Sequence, residues 1–279
     1  MVEIDQDTQL FISSVRSFSP YDFSDYSEKS LKRRLAKVQS DNKMNIHSLI
    51  SEMRNNEKFL EKIVKDITVN TTELFRDPQI WHMLKYRVLP KFKHQSQINI
   101  WHAGCSTGQE VYSMLMLLKE LDLYDKTKIY ATDLNGDVLN ASKLGIYKYR
   151  FNIGYLDNFD KVMKENPYNY DDFFDVPYSK YFDIDKSKDI ITMHPFLREK
   201  PVFRKHDLVK DNNIFYVKFD IILCRNVIIY FNYNLQNRVF DMFYRNLYDS
   251  GALVLGMHET ILGPYTSNFD KKDLVYFKK

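Results

Sequence analysis

The chain of 279 residues is poor in proline, glycine and cysteine, and each scarcity excludes a class of protein. Eight prolines and eight glycines exclude collagen-like and low-complexity architectures, which need these residues in high proportion. The two cysteines, Cys105 and Cys224, lie far apart without a CxxC partner, so neither a disulfide framework nor a zinc site is indicated. We therefore expect a reducing compartment, the cytoplasm.

Net charge and long apolar runs are also lacking. The 40 basic residues exceed the 37 acidic ones by only three, so bulk charge gives no reason to expect nucleic acid as a partner. No window approaches 18 uninterrupted apolar residues, and the first residues do not resemble a signal peptide, so we expect no membrane insertion. The scattered histidines show no pair at ligand spacing on a helix, so we predict no metal site.

Two patterns of apolar residues divide the chain. Up to about residue 75 they recur at helical spacing, as in Leu31, Leu35 and Val38, without strand-like alternation. From residue 98 onward, short apolar strands alternate with amphipathic helices, which predicts an α/β fold with a mostly parallel sheet. Residues 150–205 interrupt this rhythm, and 189–208 look like short antiparallel strands. We interpret this stretch as an insertion into the α/β domain.

The loop GCSTG, from Gly104 to Gly108, lies between a predicted strand and helix, and Asp133 ends the following strand. Terminal glycines allow a sharp turn close to a ligand, and an acid at such a strand end can accept both ribose hydroxyl protons. The loop matches neither GxGxxG nor the P-loop. Glu110, in the first helical turn, would disfavour a pyrophosphate but suits a cationic, phosphate-free nucleoside such as S-adenosylmethionine.

The same spacing also has a plainer interpretation. Gly104 and Gly108 would then only shape the turn, Glu110 would be an ordinary acid at a helix start, and Asp133 would cap the next helix. The spacing alone leaves both interpretations open.

Several blocks together resemble the CheR family of chemotaxis receptor methyltransferases. IWHAGCSTGQEVYS (100–113), ATDLNGDVLNASKLGIY (131–147) and CRNVIIYF (224–231) are similar to blocks of its methyltransferase domain. TVNTTELFRD (68–77) matches its linker block, and YDFSDYSEKSLKRRL (21–35) resembles its N-terminal helical domain. The matches are collinear and cover nearly the whole chain, so their combination is specific.

The resemblance implies a class I methyltransferase fold with a Rossmann-like sheet. It places an all-helical N-terminal domain at residues 1–75 and the methyltransferase domain at 76–279, with a small antiparallel β-subdomain inserted at about 178–206. Two residues depart from the family pattern, Gln109 in place of Glu and Val111 in place of Pro. The stretch 150–178 is longer than the pattern suggests.

Cofactor-binding positions are transferred from the family residue by residue, onto the matching blocks and an HDL segment. They are Asn70, Thr72, Arg76, Gly104, Glu110, Asp133, Asp207, Leu208, Asn226 and Val227. The resemblance implies S-adenosylmethionine as the cofactor and S-adenosylhomocysteine as its product.

The acceptor that the resemblance implies is a glutamate of a methyl-accepting chemotaxis receptor, which becomes a glutamate methyl ester. A glutamate with the ordinary pKa of about 4.3 is already an anion, so the reaction needs alignment and desolvation but no general base. Arg76 is the predicted catalytic residue, because a guanidinium can orient a carboxylate. Tyr230 is the second, as a hydrogen-bond donor. The plainer interpretations are a salt bridge of Arg76 with Asp77 or Glu73, and a core role for Tyr230.

A basic run on the predicted second helix indicates a docking surface for the cytoplasmic helical region of a chemoreceptor, which the family reaches through its N-terminal domain. The run comprises Lys29, Lys32, Arg33, Arg34 and Lys37. Such a run is equally often only a solvated helix face. We expect a monomer.

Rival functions stay open. One is a methyltransferase for another substrate, although CRNV stands where adenine and glutamine N-methyltransferases carry [ND]-P-P-[YF]. Another is a CheR-like sensor or scaffold that binds S-adenosylmethionine without turnover, against which Arg76 and Tyr230 argue. The missing GxGxxG disfavours a nicotinamide oxidoreductase.

Overall fold

The computed structural model describes residues 5–68 and 71–279, which form helices, a large sheet and a small sheet. The helices are α1 (Gln6–Phe18), α2 (Glu28–Asn42), α3 (Ile46–Asn55), α4 (Glu57–Thr68), α5 (Pro78–Met83), α6 (Gln109–Glu120), α7 (Gly136–Leu144), α8 (Tyr149–Met163), α9 (Pro195–Glu199) and α10 (Tyr233–Asn246). The strands are β1 (Ile98–Ala103), β2 (Thr127–Asp133), β3 (Ile146–Lys148), β4 (Phe182–Asp185), β5 (Ile190–Met193), β6 (Val202–Lys205), β7 (Phe219–Cys224), β8 (Leu247–Leu255), β9 (Phe269–Lys272) and β10 (Val275–Lys278).

Helices α1 to α4 pack around an apolar cluster of their own. Leu31, Leu35 and Val38 of α2, which share one helical face, are each 2% exposed and belong to this cluster with Leu49 and Ile63. The predicted helical opening of the chain is thus confirmed. None of the helices within residues 5–68 and 71–279 combines the length and apolar character that a membrane crossing requires.

The large sheet has seven strands in the order β6-β2-β1-β7-β8-β10-β9. The strands from β6 to β8 are parallel, while β10 runs antiparallel to both of its neighbours. The chain extends the sheet from β1 to one side through β2 and β6, then to the other side through β7 and β8. Such a switch point leaves a crevice at the carboxyl ends of the strands, where α/β proteins bind their ligands. The predicted class I methyltransferase sheet is confirmed.

Apolar layers cover both faces of the large sheet. Successive side chains of β1 point to opposite faces and therefore belong to different layers. Ile98 and Ile100 belong to the layer that includes α6, whereas Trp101 and Ala103 belong to the layer that includes α10. The buried indole of Trp101 donates its only polar hydrogen to Thr132 Oγ1 at 2.9 Å.

The small sheet joins β3, β5 and β4 in antiparallel order, which confirms the predicted antiparallel element. The prediction of antiparallel strands throughout 189–208 is wrong at its end, since β6 pairs in parallel with β2 in the large sheet. A four-residue strand has too little periodicity to reveal its partner. The unassigned start of the 150–178 stretch continues helix α8. The domain boundary at residue 75 and the limits 178–206 of the β-subdomain stay predictions.

Gly108 provides a test of the turn that leads into α6. Its φ of 89° lies in the left-handed region, and a Cβ there would come within 2.9 Å of Ser142 Oγ. We expect Gly108→Ala to lower the free energy of unfolding by about 1–3 kcal/mol in urea denaturation. Gly136→Ala is the control, because a Cβ at Gly136 meets nothing within 4 Å and alanine favours a helix. Equal losses in the two variants would contradict the strain argument.

Candidate active site

The carboxyl ends of β1, β2, β6 and β7 border one cavity at the switch point of the large sheet. It contains about 900 Å³ of space, part of which is open to solvent. Every predicted site residue that the structure describes lines it, namely Thr72, Arg76, Gly104, Glu110, Asp133, Asp207, Leu208, Asn226, Val227 and Tyr230. The remaining predicted residue, Asn70, lies outside the described residues.

Asp133 fixes the glycine loop after β1. Its Oδ2 accepts the backbone N–H of Ser106 at 2.8 Å, and its Oδ1 accepts that of Asn135 at 3.0 Å. Ser106 has a φ of 50°, so these hydrogen bonds stabilise a turn that most residues avoid. Burial raises the pKa of Asp133 above its ordinary value. Each carboxylate oxygen has a second lone pair, so Asp133 can still accept ribose hydroxyl groups.

Glu110 is not the unpaired anion that the charge argument from the sequence assumed. Its Oε1 lies 2.8 Å from Nδ1 of His102, and its Oε2 accepts a hydrogen bond of 3.1 Å from Arg225 Nη1. Burial opposes the charge of Glu110, but the His102 hydrogen bond and the Arg225 guanidinium outweigh it and lower its pKa below the ordinary value. The carboxylate of Glu110 is therefore held in a fixed orientation, and the positive charge of Arg225 already compensates part of its negative charge.

Arg225 connects three elements of the site, although the sequence analysis did not assign it a role. Its side chain is 1% exposed, and Nη2 donates to the Arg76 carbonyl at 2.6 Å and to Asp77 Oδ2 at 3.0 Å. The guanidinium also lies 5.5 Å from the ring centroid of Trp81. The CRNV block contained this residue, so a signal for it existed. Its burial and partners follow only from the fold.

Arg76 lines the cavity, and its backbone carbonyl is held by Arg225. Within residues 5–68 and 71–279, the Arg76 guanidinium makes neither a hydrogen bond nor an ion pair of its own. The plainer interpretation, a salt bridge with Asp77 or Glu73, is therefore not seen among these residues. This leaves the guanidinium available to a ligand.

Glu259 shapes the loop after β7, and the sequence contained no signal for it. Its Oε2 accepts the backbone N–H groups of Asn226 and Gly256, both at 2.7 Å, and its Oε1 accepts that of Ile229 at 3.2 Å. Asn226 has a φ of 58°, in the left-handed region, and its backbone N–H group is hydrogen-bonded to Glu259 in this conformation. Burial raises the pKa of Glu259. The loop that contains Asn226, Val227 and Tyr230 thus depends on a residue outside every matched block.

Asp207 lies beside Asp133 because β6 pairs in parallel with β2. Its Oδ1 accepts the backbone N–H of Val209 at 2.8 Å, and burial raises its pKa. Leu208 follows it and lines the same part of the cavity. The two strand ends therefore place two carboxylates at one end of the cavity, at the place where a nucleoside is bound in this kind of sheet.

The side chains of the cavity suit S-adenosylmethionine better than a phosphate ligand. Glu110, Asp133 and Asp207 contribute carboxylates, and the guanidinium of Arg225 is already used by Glu110 and Asp77. A pyrophosphate would meet these carboxylates, whereas a cationic nucleoside without phosphate would not be repelled. In the described part of the chain, no three His, Cys, Asp or Glu side chains gather as metal ligands would.

The fold and this cavity define a class I S-adenosylmethionine-dependent methyltransferase. The family model "CheR methyltransferase, SAM binding domain" matches residues 70–158 and 168–275. The chain belongs to this CheR methyltransferase family, and S-adenosylmethionine is its cofactor.

Individual relatives agree with this membership. The Cher3 protein of Pseudomonas putida is 31% identical over 95% of this chain and 93% of its own length. A chemotaxis protein methyltransferase of Listeria monocytogenes is 27% identical over 94% of this chain and 93% of its own length. Another, of Borreliella burgdorferi, is 31% identical over 73% of this chain and 69% of its own length. A TehB-like methyltransferase structure from Corynebacterium glutamicum aligns over 72% of this chain and 95% of that chain, with 14% identity and a TM-score of 0.39, too low to add weight.

Asp133→Asn tests the cofactor site. The substitution removes the charged acceptor, so we expect S-adenosylmethionine to bind more weakly by about 1.5–3 kcal/mol, roughly 10- to 100-fold. Isothermal titration calorimetry measures this change. Asp137→Asn is the charge-matched control, because Asp137 is exposed in the first turn of α7 and does not line the cavity. Unchanged affinity in Asp133→Asn would contradict the assignment.

Proposed function

We propose that the protein transfers the methyl group of S-adenosylmethionine to glutamate side chains of methyl-accepting chemotaxis receptors. The observation on which the proposal depends is Arg76, which lines the cavity and whose guanidinium has no partner of its own among the described residues. The name chemotaxis protein methyltransferase, borne by relatives from Listeria monocytogenes and Borreliella burgdorferi, supports a receptor as the substrate. The products are glutamate methyl esters and S-adenosylhomocysteine.

The residues of the cavity act by binding and orienting. Asp133, Asp207 and Leu208 hold the nucleoside, while Glu110 and the loop from Asn226 hold the remainder of the cofactor. The bound cofactor supplies a methyl group on a cationic sulfur. A carboxylate oxygen of the acceptor forms the bond to the methyl carbon as the carbon–sulfur bond breaks, and the electron pair stays on sulfur. No proton moves, so no general base is needed.

Arg76 orients the acceptor in this proposal. Its guanidinium binds one carboxylate oxygen and directs the other toward the methyl group. Arg225 fixes the backbone of Arg76 through a 2.6 Å hydrogen bond, so the position of Arg76 depends on a buried side chain that also binds Glu110 and Asp77. Tyr230 lines the same cavity and has a hydroxyl group that can donate a hydrogen bond to the acceptor.

Methyl transfer to a receptor cytoplasmic fragment tests both the reaction and the role of Arg76. With radiolabelled S-adenosylmethionine we expect base-labile label on glutamate, and a kcat roughly 100-fold lower for Arg76→Ala, because a misoriented acceptor reacts slowly. Arg87→Ala is the control, since Arg87 is exposed, pairs with Asp273 and does not line the cavity.

The label also separates the rival functions. Label on lysine would indicate another protein methyltransferase reaction. A folded protein that binds S-adenosylmethionine but transfers no label would be a sensor or scaffold. Full activity of Arg76→Ala would refute the orienting role while leaving the reaction intact.

Helix α2 is the proposed docking surface for the receptor. Lys29, Lys32, Arg33 and Lys37 are exposed, whereas Arg34 is half-buried. Lys32 pairs with Asp5 at 3.4 Å and Lys37 with Asp41 at 2.9 Å, while Lys29 and Arg33 have no ion pair among the described residues. We propose that residues 1–75 form a helical domain that presents this face to an acidic receptor helix, and that the protein acts as a monomer in the cytoplasm.

Charge reversal tests this surface. We expect Lys29→Glu and Arg33→Glu each to raise the KM for the receptor fragment several-fold and to leave the Kd for S-adenosylmethionine unchanged, with an effect that fades at high salt. Lys58→Glu is the control, because Lys58 is also exposed but lies on α4 of the same helical group. An equal rise of KM in Lys58→Glu would indicate a nonspecific charge effect instead.

A further inference from the structure

Tyr26 belongs to the N-terminal helical part of the chain, yet it lines the cavity at the switch point of the large sheet. It packs both against the apolar cluster of α1–α4 and against the cluster that includes α10. Its ring lies edge-on to Phe23, with centroids 5.0 Å apart, and to Phe231, with centroids 5.5 Å apart. Two aromatic side chains from different parts of the chain thus restrict the orientation of this ring.

The backbone around Tyr26 is bound to the methyltransferase part of the chain. Ser27 donates its N–H to the Tyr230 carbonyl at 2.7 Å, and Asn232 donates its N–H to the Asp25 carbonyl at 2.9 Å. Tyr26 and Phe231 form the antiparallel bridge between these two hydrogen bonds. The loop after β7, which lines the cavity, therefore determines where the Tyr26 side chain lies.

Tyr26 lines the same cavity as the carboxylates of Asp133 and Asp207, and its hydroxyl group has no hydrogen-bond partner in the described residues. Burial, and the negative charges of Asp207 and Asp133, raise the pKa of Tyr26, so the phenol keeps its proton at physiological pH. Both carboxylates already accept backbone N–H groups. A neutral phenol in this position can donate one hydrogen bond to a ligand that lies between these acids.

We propose that Tyr26 is a cofactor-binding residue, whose hydroxyl group donates a hydrogen bond to the adenosine part of S-adenosylmethionine beside Asp133 and Asp207. The roles are complementary, because the carboxylates accept protons from the nucleoside and the phenol donates one. This inference rests on the proposed cofactor site. It makes the N-terminal helical part of the chain a component of that site, two residues before helix α2 begins.

Tyr26→Phe tests the proposal, because phenylalanine keeps the ring contacts and removes only the hydroxyl group. We expect the Kd for S-adenosylhomocysteine, measured by titration calorimetry, to rise roughly 3- to 10-fold, as for one hydrogen bond. Tyr244→Phe is the matched control. Tyr244 is also partly buried beside Phe269, at 5.8 Å between centroids, has no partner for its hydroxyl in the described residues, and does not line the cavity.

The affinity for adenosine, measured by displacement of S-adenosylhomocysteine, shows whether Tyr26 contacts the adenosine part of the ligand. Tyr26→Phe should weaken adenosine by the same factor, and a loss confined to S-adenosylhomocysteine would overturn the proposal. Wild-type affinity in Tyr26→Phe combined with a loss in Asp133→Asn would refute the role of Tyr26 alone. Wild-type affinity in Asp133→Asn would refute the assignment of the cavity, and with it this inference.

Discussion

The buried guanidinium of Arg225 is the interaction on which the rest of the site depends. It joins Glu110 at the start of α6 to Asp77 and the Arg76 carbonyl in the linker, although Glu110 and Arg225 are 115 residues apart in the chain. Removing charges from water is costly, and a buried ion pair is weak support for stability. The arrangement is better explained by geometry, because several directed hydrogen bonds fix the linker against the glycine loop.

The loop after β7 is the second constraint. Glu259 accepts three of its backbone hydrogen bonds from within the methyltransferase part, and the segment around Tyr26 pairs with it from the helical part. The loop contributes Asn226, Val227 and Tyr230 to the cavity. The N-terminal helical part and the methyltransferase part of the chain thus both hold this loop in place.

The proposed chemistry accounts for what the cavity contains. An anionic acceptor and a cationic methyl donor need positioning and exclusion of water. The site provides oriented carboxylates and the guanidinium of Arg76, which has no partner of its own where the structure describes the chain. Burial raises the pKa values of Asp133 and Asp207, as expected for carboxylates that are partly removed from water. Although burial opposes the charge of Glu110, the His102 hydrogen bond and the Arg225 guanidinium lower its pKa and favour its ionised form.

The sequence by itself determined the class of fold, the glycine loop with Asp133, and ten of the residues that line the cavity, because these depend on local turns and on collinear blocks. It left open whether Arg76 pairs with Asp77, and it did not show that β6 joins the large sheet, that Arg225 neutralises Glu110, or that Tyr26 and Glu259 meet the loop after β7. Only the tertiary structure decided these points. Each of them depends on which segments become neighbours across long sequence separations, and hydrophobic periodicity reports the face that a residue buries but not the side chain it meets there.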